Sequence, residues 1–281
     1  MPVHGTIERV CLNFGSRCNM SCDYCYIPFN NKHIEPAVTQ DVVRRVSALG
    51  ARVITIGGGD PFSSPGIEAI IETAHAVGLS VHVDSNGIGL RARHRPLLEK
   101  AVSLFALPLD GANSATHGAM RSSPRHFQTV LDRAKLISES GVPLKINTVV
   151  SALNWHELPD MANLVQSLGA QRWSLYQYWA LSFGATSSAR HSIPQETFSS
   201  AVSCLQDLAR SVHVEVNPVL ERHGTYLFVD QAGNAYTHEP AARDEYRPLG
   251  SIFDESTLIA WKTIQTASIR EKARSRYPSL T

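Results

Sequence analysis

Residues 9–26 of the chain read RVCLNFGSRCNMSCDYCY. The beginning of this stretch predicts a β-strand, in which Cys11 and Asn13, two positions apart, project to the same face. The strand leads directly into a loop with three cysteines, Cys18, Cys22 and Cys25. Parallel α/β folds build their sites at the carboxyl ends of strands, so we expect a functional site at this edge of a sheet.

The rest of the chain alternates short β-branched runs with longer helical stretches, as a parallel sheet requires. Strands are predicted over residues 9–14, 53–56, 80–84, 104–109, 143–150 and 172–178. Caps and turn glycines predict helices over residues 39–50, 64–78, 123–141, 156–168 and 192–211. Six βα repeats are two short of a closed barrel, so we predict an α/β fold with a partial (β/α)6 barrel, an ordinary doubly wound sheet being the alternative.

The pattern of long repeats ends after residue 211. Short strands are predicted beyond it, around Val214 and over residues 226–230 and 235–237. We therefore predict two domains, a barrel of residues 1–211 and a small α+β extension of residues 212–281 that covers the mouth of the barrel.

Composition limits the partners of the chain. Its 281 residues are 43% hydrophobic, which is enough for a buried core. The formal net charge is only +1, from 26 basic and 25 acidic residues, so no long-range field attracts a nucleic acid polymer or an acidic membrane. No apolar stretch has the length or the flanks of a signal peptide or a membrane span. These features predict a cytoplasmic protein that binds neither nucleic acid polymer nor membrane.

The five cysteines do not form the pattern of a disulfide framework. Their number is odd, and three of them fall within eight positions, while Cys11 and Cys204 stand apart. Three thiolates on one loop point to a metal instead. In a four-iron cluster they would leave one iron without a cysteine and open to a ligand from solution. The alternative is a zinc loop completed by His33 or Cys11.

The cysteine loop, with Tyr24 directly before the last cysteine, resembles the signature of radical S-adenosylmethionine (SAM) enzymes. Residues 57–61, Gly-Gly-Gly-Asp-Pro, are similar to the segment of that family that holds the amino group of SAM. Asp60 departs from the glutamate of the family but keeps its charge. The resemblance implies that Cys18, Cys22 and Cys25 bind a 4Fe-4S cluster. It assigns SAM contacts to Tyr24, Gly58, Gly59, Asp60, Ser85 and Asn86.

The family resemblance also implies the chemistry. An electron from a donor such as flavodoxin or ferredoxin passes through the cluster and cleaves SAM to a 5′-deoxyadenosyl radical. This radical abstracts hydrogen from a small polar substrate, such as a nucleotide or a sugar.

Three further segments resemble viperin-type enzymes of the same family: residues 144–150, 171–177 and 225–230. In that group the tyrosine matching Tyr226 returns a hydrogen to the substrate radical, and Asn147 and Val149 fall where SAM is bound. Cys11 is a second candidate for hydrogen donation, the alternative being a small buried apolar residue. Candidates for substrate binding are Asn13, Asp110, Lys145 and Arg172. A triphosphate requires several cations together, which Lys145, Arg172 and Arg121 would have to supply.

A second resemblance concerns residues 226–238, which are similar to the tail of peptide-modifying radical SAM enzymes. His238 takes the place of a cysteine that binds an auxiliary cluster there, and we interpret it as a surface histidine. A peptide-modifying enzyme is therefore an alternative function. A metal-binding α/β module without catalysis is an alternative of another class.

Overall fold

The computed structural model describes residues 7–15, 18–29, 32–205, 212–238, 246–267 and 269–271. Within these ranges, ten strands form one sheet. The strands are β1 (Arg9–Phe14), β2 (Val53–Gly58), β3 (Ser80–Asp84), β4 (Leu104–Pro108), β5 (Leu144–Val150), β6 (Arg172–Gln177), β7 (His213–Asn217), β8 (Phe228–Asp230), β9 (Asn234–His238) and β10 (Tyr246–Ser251).

The order of the strands across the sheet is β10-β9-β8-β1-β2-β3-β4-β5-β6-β7. Neighbours from β1 to β7 are parallel and follow chain order, with Cys11 opposite Thr55 and Thr55 opposite His82. On the other edge β8 also pairs parallel with β1, whereas β9 and β10 are antiparallel. This topology confirms the α/β class and agrees with the predicted partial (β/α)6 barrel.

Helices connect the parallel strands and cover their outer face. They are α1 (Pro36–Ala48), α2 (Ile67–Ala76), α3 (Arg95–Ala101), α4 (Ser114–Arg121), α5 (His126–Glu139), α6 (Leu158–Ser167), α7 (Ser188–His191), α8 (Gln195–Ser203), α9 (Val219–Arg222) and α10 (Glu255–Ile264). The core lies between the sheet and these helices. Its largest fully buried side chains include Trp173, Phe14, Phe105 and Phe198. Burial of such large apolar surfaces is the main favourable term in the stability of the fold.

Four predicted helix starts were wrong, among them that of α5, which begins at His126 rather than at Ser123. Helix α1 begins at Pro36 after Glu35, and Thr39, predicted as its cap, is buried and donates its hydroxyl to Gln231 O at 3.2 Å. Helix α2 begins after Gly66, which adopts a φ of +84° that favours glycine. Helix α8 begins at Gln195 without a side-chain cap. The end predicted for α8, residues 206–211, lies outside the described residues.

Residues beyond 211 add strands to both edges of the sheet. Strand β7 pairs with β6, and β8 pairs with β1 on the opposite edge. Only residues 228–230 of the predicted strand 226–230 have strand structure. The division into two domains stays a prediction. A search of the described residues finds no helix with the length and apolar character needed to span a membrane.

Candidate active site

The parallel strands turn alternate side chains toward one cavity of 690 Å³. Cys11 and Asn13 on β1 face it together, as their spacing predicts, and Thr55 and His82 follow on the neighbouring strands. The volume lies in the range of roughly 300–1,000 Å³ that is usual for ligand sites.

All three cysteines of the loop after β1 line this cavity: Cys18, Cys22 and Cys25. The loop is anchored by Tyr24, whose hydroxyl donates to Asp110 Oδ2 at 2.8 Å. A Cβ on Gly184 would lie 2.8 Å from Tyr24 O, so the segment before α7 packs closely against the loop. Burial raises the pKa of Cys25 to about 11 and also raises that of Cys22. The raised pKa values favour the protonated thiols, whereas iron binding requires the thiolates and therefore displaces the protons.

The glycine segment at the end of β2 forms the adjoining wall, with Gly57, Gly58 and Gly59 facing the cavity. Asp60, in contrast, lies behind the wall and is 1% exposed. Its carboxylate accepts hydrogen bonds from Ser63 at 2.6 Å and from the backbone of Gly89 at 3.1 Å, and also from the Ser85 hydroxyl. Asp60 thus holds Ser85 in the cavity wall without lining the cavity itself, and its contact with SAM stays a prediction.

A chain of hydrogen bonds, all donated in the same direction, runs from the Asp110 backbone to the Asn86 carbonyl and supports Asn86. The Asp110 N–H donates to His117 Nδ1 at 3.1 Å, so His117 carries its proton on Nε2 and donates it to His126 Nδ1 at 2.8 Å. His126 Nε2 in turn donates to Asn86 O at 2.8 Å. Burial lowers the pKa of His117 to about 3 and that of His126 to about 4, so both rings are neutral. The Asn86 amide reaches Cys18 Sγ at 3.7 Å.

Asp110 is fully buried and lies behind the cavity wall, where it joins several elements. Beside the Tyr24 hydroxyl it accepts from Arg121 Nε at 2.5 Å and from the backbone of Val149 at 2.8 Å. Its predicted contact with substrate finds no support in this position. Asp110 instead fixes Tyr24 and Val149, which do line the cavity.

The three cations expected to gather around a triphosphate are all paired with carboxylates, and Arg121 lies apart from the other two. Lys145 and Arg172 both contact the buried carboxylate of Glu215, at 2.9 and 3.1 Å, while Arg121 pairs with Asp110. Burial favours the neutral form of Glu215, but the positive charge of Lys145 and hydrogen bonds outweigh it and lower the pKa. Lys145 lines the cavity, whereas Arg172 lies behind its wall.

Both predicted hydrogen donors face the cavity. Burial raises the pKa of Cys11 to about 12, so the thiol keeps its hydrogen at neutral pH. Tyr226, two positions before β8, lines the cavity with its ring 5.8 Å from that of Phe228. Asn13 donates its amide to the Tyr236 hydroxyl of the neighbouring hairpin.

His238 is not a surface residue, contrary to prediction. It is 4% exposed and faces the cavity among aromatic rings, with Trp179 at 4.6 Å and Phe228 at 4.8 Å between ring centroids. Burial lowers its pKa to about 3. Neither ring nitrogen has a hydrogen-bond partner among the described residues. The Arg222 guanidinium covers the Trp179 ring at 4.8 Å.

The donor set fits an iron–sulfur cluster. Three soft thiols face one cavity, while no three His, Cys, Asp or Glu side chains in the described ranges are arranged around a single ion. A four-iron cluster needs no such convergence because each thiolate binds a different iron. His33, the predicted fourth ligand of a zinc loop, lies at the surface 3.0 Å from Glu35. Beside the thiols, Gly57–Gly59, Ser85 and Asn86 leave room and polar groups for SAM.

Sequence reasoning missed several residues of this site, namely Thr55, His82, Asp84, Trp179 and Arg222, and it considered Arg121 only as a possible phosphate ligand. The alternation of side chains along a strand, which placed Cys11 in the cavity, applies equally to Thr55, His82 and Asp84. It could have identified these three residues from the sequence. Arg121 is different, because its approach to Asp110 and Tyr24 depends on α4, a helix that was not predicted.

A partial parallel barrel that turns three thiols and a glycine-rich strand end toward one cavity defines an enzyme class that binds an organic cofactor beside an iron–sulfur cluster. The family model described as the Radical SAM superfamily matches residues 12–165, more than half of the chain, which therefore belongs to that family. Members of this family are enzymes that bind a 4Fe-4S cluster and SAM. The predicted enzyme class and both predicted cofactors are thus confirmed.

Similar proteins have different substrates. The S-adenosylmethionine-dependent nucleotide dehydratase of Flammeovirga pacifica is 28% identical over 185 residues, which cover 61% of this chain and 62% of the dehydratase. The antilisterial bacteriocin subtilosin biosynthesis protein AlbA of Bacillus subtilis (strain 168) is 28% identical over 189 residues, which cover 66% of this chain and 41% of AlbA. In both cases the match spans less than two thirds of the relative.

Solved structures share the fold. Native anSMEcpe with bound AdoMet superposes with a TM-score of 0.70 at 15% identity, covering 96% of this chain and 84% of that chain. Streptococcus suis SuiB bound to the precursor peptide SuiA superposes with a TM-score of 0.69 at 11% identity, covering 91% of this chain and 64% of SuiB. At such identities the likeness concerns the fold alone.

Proposed function

We propose that this enzyme uses SAM cleavage to abstract hydrogen from a small polar substrate held inside the barrel. One observation carries the proposal: the three thiols, the glycine segment, Cys11 and Tyr226 all face a single cavity. A radical formed at the thiol end therefore reaches a substrate without crossing solvent. In such chemistry the main task of the protein is to keep water and other hydrogen-donating groups away from the radical.

Different residues that line the cavity have different roles in the proposed reaction. Cys18, Cys22 and Cys25 hold the cluster, which when bound supplies the electron that cleaves SAM to methionine and a 5′-deoxyadenosyl radical. Gly58 and Gly59 allow close approach of the SAM amino acid group, and Ser85, Asn86, Asn147 and Val149 form the adjoining wall. Asn13 and Lys145 also line the cavity and are the proposed substrate contacts.

Tyr226 is the proposed partner of the substrate radical. Its side chain lines the cavity, as a hydrogen donor must, and viperin-type enzymes carry a tyrosine at the matching position. The similarity to a nucleotide dehydratase supports a nucleotide-like or sugar-like substrate. The pairing of Lys145 and Arg172 with Glu215 speaks against a triphosphate, since a phosphate would have to compete with a buried carboxylate.

A peptide substrate is the second candidate. It is favoured by the similarity to AlbA and by the likeness of the fold to SuiB bound to its precursor peptide. The chain has only Cys11 and Cys204 besides the three loop cysteines, so an auxiliary cluster held by thiolates does not fit. A peptide-modifying enzyme of this kind would work with one cluster.

Replacing any one of Cys18, Cys22 and Cys25 with alanine tests the first step. After anaerobic reconstitution with iron and sulfide, we expect each variant to lose bound iron and to form no 5′-deoxyadenosine from SAM with dithionite. Cys204→Ala is the matched control, because this cysteine is exposed and does not line the cavity. Full iron content and normal SAM cleavage in a loop variant would contradict the assignment. Flavodoxin or ferredoxin in place of dithionite tests the proposed electron donor.

Tyr226→Phe isolates the hydroxyl, because phenylalanine preserves the volume of the ring. We expect the variant to keep its iron and still cleave SAM, but to convert substrate poorly or to an abnormal product. Tyr246→Phe is the control, since its hydroxyl donates to Tyr26 O and the ring lies behind the cavity wall. Normal product formation by Tyr226→Phe would remove this residue from the mechanism.

A further inference from the structure

Beside and below the glycine segment, the cavity has a wall of polar side chains of which the proposed steps use only Asn147. We call Thr55, His82, Asp84 and Asn147 the polar wall. Thr55 and His82 are direct neighbours on β2 and β3, and Asp84 follows His82 on the same face. Asn147 on β5 hydrogen bonds with the Asp84 carboxyl group and so continues the wall.

Three atoms of the polar wall are buried without a hydrogen-bond partner among the described residues: Thr55 Oγ1, His82 Nε2 and Asn147 Oδ1. All three residues line the cavity, and His82 is only 5% exposed. A buried polar atom that makes no hydrogen bond costs about 1–3 kcal/mol. A ligand that pairs with these atoms recovers this cost.

The donor and acceptor roles of these atoms follow from their neighbours. Arg9, which can only donate, contacts His82 Nδ1 at 3.4 Å, so the neutral ring carries its proton on Nε2. Burial lowers the pKa of His82 to about 2 and keeps the ring neutral. Asn147 Oδ1 accepts only, and the Thr55 hydroxyl does both. The polar wall thus offers one donor, one acceptor and one group of either kind.

This combination selects among ligand groups. A phosphate or carboxylate group only accepts and would face the lone pairs of Asn147 Oδ1, while an ammonium group only donates and would face the His82 N–H. Each hydroxyl of a diol both donates and accepts. Lys145, the cation that lines the cavity on β5, is already paired with the buried carboxylate of Glu215.

We propose that the polar wall binds the neighbouring hydroxyls of an uncharged sugar or nucleoside substrate. This inference rests on the proposed function, since it identifies the substrate class of the same cavity. The ribose of SAM carries the same diol and is the competing source. Thr55 and His82 precede Gly57 and Asp84 by two strand positions, about 7 Å deeper than the glycine segment, which favours the substrate.

The test measures binding to the reconstituted enzyme saturated with SAM, by saturation-transfer NMR. The probes are methyl β-D-ribofuranoside and its 2-deoxy analogue, which lacks one hydroxyl of the diol. We expect the ribofuranoside to bind at least about tenfold more tightly, because loss of one hydroxyl leaves a buried atom unpaired. Thr55→Val should abolish this preference, and His82→Phe should weaken binding further. Thr73→Val, whose hydroxyl bonds within α2, should keep it.

Four results would overturn the inference. The first is equal binding of the two probes. The second and third are tighter binding of ribose 5-phosphate, or of the amide probe N-acetylglycine methylamide, than of the ribofuranoside. The fourth is a loss of SAM affinity in Thr55→Val without any binding of the ribofuranoside. The last result would assign the polar wall to the ribose of SAM. None of these readouts depends on turnover. Failure of the proposed function would instead appear as absent SAM cleavage in the intact enzyme.

Discussion

Gly58 closes β2 with a φ of +99°, a conformation that residues with a Cβ rarely adopt. A Cβ at this position would also lie 3.0 Å from the Cα of Asn13 on the neighbouring strand. Gly50 has a similar φ of +91°, but a Cβ there would have no neighbour within 4 Å. The two glycines therefore separate the effect of dihedral strain from the effect of close approach.

We expect Gly58→Ala to weaken SAM binding about tenfold and to destabilise the fold by about 1–3 kcal/mol. The displaced backbone of Asn13 leads into the cysteine loop, so the defect reaches the SAM pocket. Gly50→Ala should lower stability by about 1 kcal/mol and leave SAM affinity unchanged. Isothermal titration with SAM and urea unfolding measure the two effects. Wild-type SAM affinity in Gly58→Ala would show that the glycine serves no close approach.

At the level of elements, the α4–α5 pair supports Asn86, a proposed SAM contact, through His117 and His126. The hydrogen-bond direction from Asp110 N–H to Asn86 O is fixed at each step, and both rings are neutral. Their ring planes stack at 5.0 Å. The pair is thus a spacer of defined length between Asp110 and Asn86.

His126→Phe keeps the stacking but removes both hydrogen bonds of the second ring. We expect weaker SAM binding with retained iron content, because Asn86 loses its support while the cysteines are untouched. Stability should fall by about 1–3 kcal/mol, as two buried groups lose their partners. His75→Phe on the exposed side of α2 is the control. Unchanged SAM affinity in His126→Phe would limit the pair to a structural role.

The elements also show what the sequence could predict. Strands β1 and β3 match their predicted bounds, because alternation of apolar residues is a local signal. Helix α4 was missed: the Asn113 side chain caps it by accepting from the backbone N–H groups of Ala115 and Thr116, but the helix is short and contains Gly118. The cysteine ligands were predicted from a contiguous motif. The pairing of Lys145 with Glu215 joins positions 70 apart in sequence, for which no local pattern gives a signal.

Over the described part of the molecule, burial lowers the pKa of five histidines: to about 2 for His82, about 3 for His117 and His238 and about 4 for His126, while that of His94 is also lowered. In the unfolded chain these side chains titrate near pH 6.5. Below that pH the unfolded state binds protons that the folded state does not, so stability falls as pH falls. Asp84 opposes the trend, since burial raises its pKa and favours the folded state in acid.

We expect the free energy of unfolding to fall between about pH 7 and about pH 5, by on the order of 1 kcal/mol per pH unit for each histidine. Anaerobic urea unfolding at several pH values measures this slope. His126→Phe should remove from this slope the contribution of about one proton, whereas His213→Gln, at an exposed position, should leave the slope as it is. A wild-type stability that stays constant over this range would contradict the prediction.

The pairing of β8 with β1 has a consequence for synthesis on the ribosome. Strand β1 gains its first neighbour, β2, early, but its second edge waits for Phe228, roughly 200 residues later in the chain. Until then the wall that carries Tyr226 is missing, and the cysteine loop next to β1 borders an open groove. The cysteine loop is therefore sterically most accessible before β8 emerges, and pairing of β8 with β1 adds the missing wall.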